Sequence, residues 1–100
     1  MAELGGVGEA EKRRLLEALC SLGSAEEAEA LLSDLCTPRE IEDLSQRLEV
    51  ATMLAAGASY VDVSRATGAS STTVSRVSKC LNGPTGGYRL VLGRLDGPRG

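Results

Sequence analysis

The sequence predicts an all-α protein of about five to six helices, two of them short and joined as a helix-turn-helix. Three observations carry that expectation. Apolar residues recur at three- and four-residue spacing along most of the 100-residue chain. Ser24–Glu27 and Thr37–Glu40 place a hydroxyl three residues ahead of a glutamate just before such a stripe, the pattern of a capping box. Glycine closes the stripes at Gly23, Gly57 and Gly68, and Gly83-Pro84 does so near the end.

Taken in order, residues 1–8 (MAELGGVG) have no periodicity and are expected to fray. Leu15, Leu19 and Leu22, with Leu16 and Ala18 beside them, then give a helix from Glu9 to Gly23. Ser24 caps a second helix with Ala28, Leu31, Leu32 and Leu35 on one face. Thr37 caps a third, with Pro38 at the first position, where its missing amide costs nothing. Ile41, Leu44, Leu48, Ala51 and Leu54 or Ala55 carry that helix to Gly57. Ser59 caps Tyr60–Thr67, with Asp62 in its first turn, and Gly68 ends it. Ser70 or Ser71 starts the next helix, which runs to about Leu81 and breaks at Asn82-Gly83-Pro84. Tyr88, Val91, Leu92 and Leu95 suit a last short helix, although Arg89–Leu92 also suits a strand. Residues 96–100 form a tail. One helical domain over residues 9–95 is expected, with the helix-turn-helix at 59–82 and a C-terminal helix at 87–95.

Composition narrows the function. Apolar residues make up 42% and charged residues 25% of the chain, as in ordinary globular proteins. The longest apolar run, Val50–Ala56 with Thr52 inside it, is far below the roughly 20 residues of a membrane span. Met1 is followed by an acidic, glycine-containing stretch rather than a basic and apolar leader, so a cytoplasmic protein is expected. There is no His, and Cys20, Cys36 and Cys80 are scattered. That excludes most catalytic triads, zinc fingers and histidine acid-base pairs, and it suggests reduced thiols with no metal or cofactor. Glu40, Glu42, Asp43 and Glu49 share the third helix, but charges on a solvated helix face are the ordinary case. A binding protein is expected, not an enzyme. With two Tyr and neither Phe nor Trp, the core must be aliphatic and thin, which favours self-association.

Charge is unevenly shared. Residues 1–58 carry five bases against twelve acids, net −7, and residues 59–100 carry six bases against two, net +4. An acidic half joined to a basic half fits a chain whose second half meets a polyanion. On the second short helix, Val74, Val77 and Leu81 must face inward, while Thr72, Ser75, Arg76 and Lys79 project outward. Small hydroxyls and cations, without acids, suit a major groove. Ser70, Ser71, Thr72 and Thr73 surround the free amides of the helix start, where a phosphate is favoured. Thr72 and Ser75 would then meet base edges, Arg76 a guanine or phosphate, and Lys79, with Arg65, the backbone. The same helix pair could instead be a protein-interaction module that keeps the shape without touching DNA.

Thr73-Val-Ser-Arg-Val77 resembles the start of many bacterial repressor recognition helices. Leu35-Cys-Thr-Pro-Arg-Glu40, Gln46-Arg-Leu-Glu-Val50, Gly57, Thr67-Gly-Ala69 and Thr72–Arg76 together resemble the tryptophan repressor superfamily. Arg76–Asn82 and Gly86–Leu92 are similar to its Trp-repressor-related YerC/YecD-type branch. The likeness covers about residues 24–95. It implies an intertwined, Trp-repressor-like homodimer in which residues 9–57 are dimerisation helices and two heads read double-stranded DNA, in the manner of a repressor. DNA-facing positions carried over by the resemblance include Ser70, Ser71, Thr72 and Ser75. The family's effector pocket maps onto Thr37, Arg47, Thr73, Arg76 and Cys80. Cys80 stands where the family has a hydroxyl, and the Gly57-Ala58-Ser59 junction is one residue shorter. Both departures speak against tryptophan itself and leave another small molecule open. On the bland reading Arg47 pairs with Asp43, four residues away.

Overall fold

Wherever the sequence supplies a cap, a helix begins. The structure, a computed structural model, describes residues 8–96. Over these the chain forms six helices: α1 (Glu9–Cys20), α2 (Ala25–Leu35), α3 (Pro38–Ala55), α4 (Tyr60–Thr67), α5 (Ser71–Leu81) and α6 (Gly87–Asp96). The expected frayed start, Gly8 apart, and residues 97–100 of the expected tail lie outside the described residues.

The caps explain the boundaries. The Ser24 hydroxyl accepts from the Glu27 amide at 3.1 Å. The Glu27 carboxylate accepts from the Gly23 amide at 2.8 Å, one residue ahead of the donor a capping box ordinarily uses. α1 ends at Cys20, short of the expected Leu22, because the Ser21 hydroxyl donates back to the Ala18 carbonyl at 2.7 Å. Ser59 and Ser70 cap α4 and α5 by accepting from the Asp62 and Thr73 amides, both at 3.1 Å. The strand alternative at Arg89–Leu92 is not taken: the stretch is helical, and Leu90 N–H donates to the Gly86 carbonyl at 3.0 Å. α6 also includes Asp96, one residue beyond the expected end.

The chain divides into two units at Pro38 and Arg39. In the first, neither α1 nor α2 buries a residue. Leu15, Leu16 and Leu19 are 42–45% exposed and Leu35 is 55% exposed, while Leu22, Ala28, Leu31 and Leu32 are half-buried, so the predicted stripes exist but are only partly covered.

The second unit holds the core: Val50, Ala51, Val63, Ala69, Val74, Val77, Leu81 and Leu92, with Met53, Leu54, Ala58 and Tyr88 packed against it. Among the described residues no polar or charged side chain is buried. On α3 the buried pair is Val50 and Ala51, whereas Leu44 and Leu48 of the predicted stripe stay exposed. The core meets α3 toward its C-terminal end, at Val50 and Ala51 with Met53 and Leu54 packed against it. On α6 only Leu92 is buried; Leu90, Val91 and Leu95 are exposed. Arg89 Nη1 donates to the Leu81 carbonyl at 2.5 Å, so α6 closes the C-terminal end of α5. No helix among the described residues is long and apolar enough to cross a membrane.

Candidate nucleic-acid interface

The link between α4 and α5 is a tight turn. Gly68 takes φ +76°, a left-handed conformation that costs a side-chain-bearing residue about 1–2 kcal/mol. Around it, the Ser64 hydroxyl donates to the Ala69 carbonyl at 2.5 Å and the Ala69 amide donates to the Thr67 hydroxyl at 3.1 Å. Gln46 on α3 donates to the Thr67 carbonyl at 3.1 Å. Across the helix pair, the Tyr60 hydroxyl donates to the Ser78 hydroxyl at 2.6 Å. Behind these bonds Val63, Ala69, Val74 and Val77 are almost fully buried. The angle between α4 and α5 is therefore held by packing on one side and side-chain bonds on the other.

That packing decides what α5 presents. Val74, Val77 and Leu81 point into the core, as their spacing predicts, and Thr72, Ser75, Arg76 and Lys79 are exposed. Neither Arg76 nor Lys79 forms an ion pair among the described residues. Arg65 on α4 lies 3.9 Å from Asp62, an exposed and loose pair. The four hydroxyls at the helix start divide their work. Ser70 caps α5 and donates to the Thr73 hydroxyl at 3.2 Å, and Thr73 is half-buried. Ser71 and Thr72 are exposed, and their hydroxyls bond to no described residue. The hydroxyls free to meet a phosphate are thus Ser71 and Thr72 rather than all four.

Behind the same helix lies an open groove of about 660 Å³. Arg39, Asp43, Gln46 and Arg47 of α3 form one wall, and Thr73, Arg76, Val77 and Cys80 of α5 form the other. Gly68 and Ser70 stand at its turn end and Tyr88 of α6 closes it. Of the residues singled out from the sequence, Arg47, Thr73, Arg76 and Cys80 meet here. Thr37 is exposed and is not among the lining residues. Arg47 does not pair with the Asp43 carboxylate: that group takes Arg39 at 3.2 Å, and Arg47 Nε donates to the Asp43 backbone carbonyl at 3.3 Å. The rest of the Arg47 guanidinium is left for the groove. Gln46, Val77 and Tyr88 were not singled out beforehand. Arg39, Asp43 and Arg47, four residues apart, do trace one wall of α3, a signal present in the sequence. Among the described residues no cluster of three or more metal-ligating side chains forms, and all three cysteines are free thiols.

A cationic, hydroxyl-bearing helix held out by a short partner across a glycine turn defines a helix-turn-helix nucleic-acid-binding protein. The chain belongs to the Trp repressor family, a family of DNA-binding regulators: the model of the Trp repressor protein matches residues 10–96. YerC of Bacillus subtilis (strain 168), itself uncharacterized, is 44% identical over 82 residues, covering 82% of this chain and 79% of YerC. A TrpR-like protein from Eubacterium eligens ATCC 27750 superposes with a TM-score of 0.78 at 44% identity, over 83% of this chain and 86% of that one. A candidate Trp repressor from Staphylococcus aureus gives 0.83 at 37% identity over 89% of both chains.

Proposed function

We propose that this protein is a cytoplasmic transcriptional regulator that binds double-stranded DNA as a homodimer and acts as a repressor. The observation that carries this reading is the exposed, acid-free ridge of Thr72, Ser75, Arg76 and Lys79, whose cations have no ion-pair partner among the described residues. Thr72 and Ser75 meet base edges, Arg76 a guanine or phosphate, and Lys79 with Arg65 the backbone. Ser70 holds the start of the reading helix in shape, and Ser71 and Thr72 offer hydroxyls to a phosphate. Dimerisation is supported by the uncovered leucines of α1 and α2. Two heads would read half-sites roughly one helical turn, about 34 Å, apart.

The groove supports regulation by a small molecule. Arg47 and Arg76 face it from opposite walls with Thr73 and Cys80 beside them. Two guanidinium groups without acid partners favour an anionic ligand. Cys80 on the wall, like the shortened junction after Gly57, argues for a ligand other than tryptophan.

Immunoprecipitation of the tagged protein with its bound chromosomal DNA tests the central reading. Enrichment of a few discrete sites sharing a two-fold symmetric motif is the expected result. Recovery of a protein partner with no enriched DNA would replace it with the interaction-module reading.

A further inference from the structure

A second depression lies where the start of α4 meets the start of α5. It is lined by Tyr60, Val61, Ser64, Arg65 and Ser71, and encloses about 380 Å³. Val61 is 64% and Tyr60 is 50% exposed, large apolar surfaces left open beside the helix that carries the cationic ridge. The cup is held in shape. The Tyr60 ring is pinned through its hydroxyl to Ser78, and the Ser64 hydroxyl donates its proton to the Ala69 carbonyl, so it has no donor left for a visitor. Val61 has only methyl groups to offer. At the rim stands Ser71, the first residue of α5.

A phosphate would use the Arg65 guanidinium and the Ser71 hydroxyl, the donors of this lining, and would leave the exposed faces of Tyr60 and Val61 without a partner. A folded protein partner needs about 800 Å² per side for a stable interface, more than five residues supply. In a duplex the apolar feature of the major-groove edge is the 5-methyl group of thymine. The start of a reading helix is also the part that enters the groove. We propose that this cup seats the 5-methyl of a thymine next to the bases read by α5, and that Val61 is a specificity-determining residue. The proposal rests on the DNA reading above.

Duplexes selected from a random pool by the wild-type protein, followed by replacement of single thymines with deoxyuridine, provide the test. Deoxyuridine removes the methyl group and nothing else. The expected result is a thymine preference at the edge of each half-site, with about a four-fold affinity loss on its replacement. Val61→Ala should bind the thymine duplex more weakly by a similar factor and be indifferent to the replacement. Val61→Thr, which keeps the shape but trades a methyl for a hydroxyl, should fall between. Val61 is exposed, so unchanged circular dichroism is expected for both variants. Selection without a thymine preference, or an equal uracil penalty in wild type and Val61→Ala, overturns the proposal while the DNA reading stands. If no duplex is retained, the DNA reading itself falls, and the two failures are thereby distinct.

Discussion

Asp43 has an arginine four residues away on either side along α3, and it takes only Arg39 as an ion-pair partner. Spacing alone allows both pairings, so the sequence could not say which guanidinium remains for the groove. By contrast, the outward stripe of α5 was legible, because an inward register of three apolar residues leaves one possible opposite face. The division among the N-terminal hydroxyls was not legible: any of the four can cap, and only the backbone angles at Ser70 decide it. Lys79→Ala is expected to weaken binding to every duplex alike and to lower the salt dependence of the affinity by about one ion per head, as read by fluorescence anisotropy over a salt series. An unchanged slope would remove Lys79 from the backbone contact. Arg47→Ala should leave the midpoint of urea unfolding nearly unchanged, since the side chain is exposed and its bond to the Asp43 carbonyl is long at 3.3 Å. The same variant should lose the thermal shift that an anionic effector gives to the wild type.

At the scale of the element, the short helices were the easiest to place. α4 and α5 carry serine caps at their starts, and α4 stops at a glycine with positive φ, so their bounds follow from local chemistry. The buried face of α3 did not follow, because the cluster it joins is made by residues further along the chain: Val50 and Ala51 lie in the core with Val63, Val74, Val77 and Leu92, and Leu48 stays outside it. α6 was ambiguous for a related reason, since its stretch suits a helix or a strand until Arg89 and the Gly86 carbonyl fix it. Gly68→Ala should cost about 1–2 kcal/mol in urea unfolding, and Ser70→Ala about 1 kcal/mol. The helix-turn-helix angle depends on both positions, so each should also reduce DNA affinity beyond any loss of folded fraction. An affinity that merely tracks the folded fraction would show that the turn does not position α5.

Among the described residues every buried side chain belongs to the second unit, and α1 and α2 of the first bury none. Ten or more residues of helix without a buried side chain are marginal in water, so α1 and α2 depend on what covers their leucines. The thin aliphatic composition foretold a shortage of core, but not that the shortage falls wholly on one unit. The thermal midpoint should therefore rise with protein concentration, as it does when association stabilises the folded state. Leu19→Lys should shift sedimentation toward the monomer and flatten that dependence. A midpoint independent of concentration would argue for a self-sufficient chain.

Arg76 borders the groove on one side of α5 and belongs to the solvent-facing ridge on the other. On the proposed reading one guanidinium would serve two ligands, and thermodynamic linkage would then work in both directions. Whatever factor a groove-bound metabolite applies to operator affinity, the operator must apply to the metabolite. An unknown effector can therefore be hunted by titrating candidate compounds with and without operator DNA, taking as the hit the compound whose own dissociation constant moves.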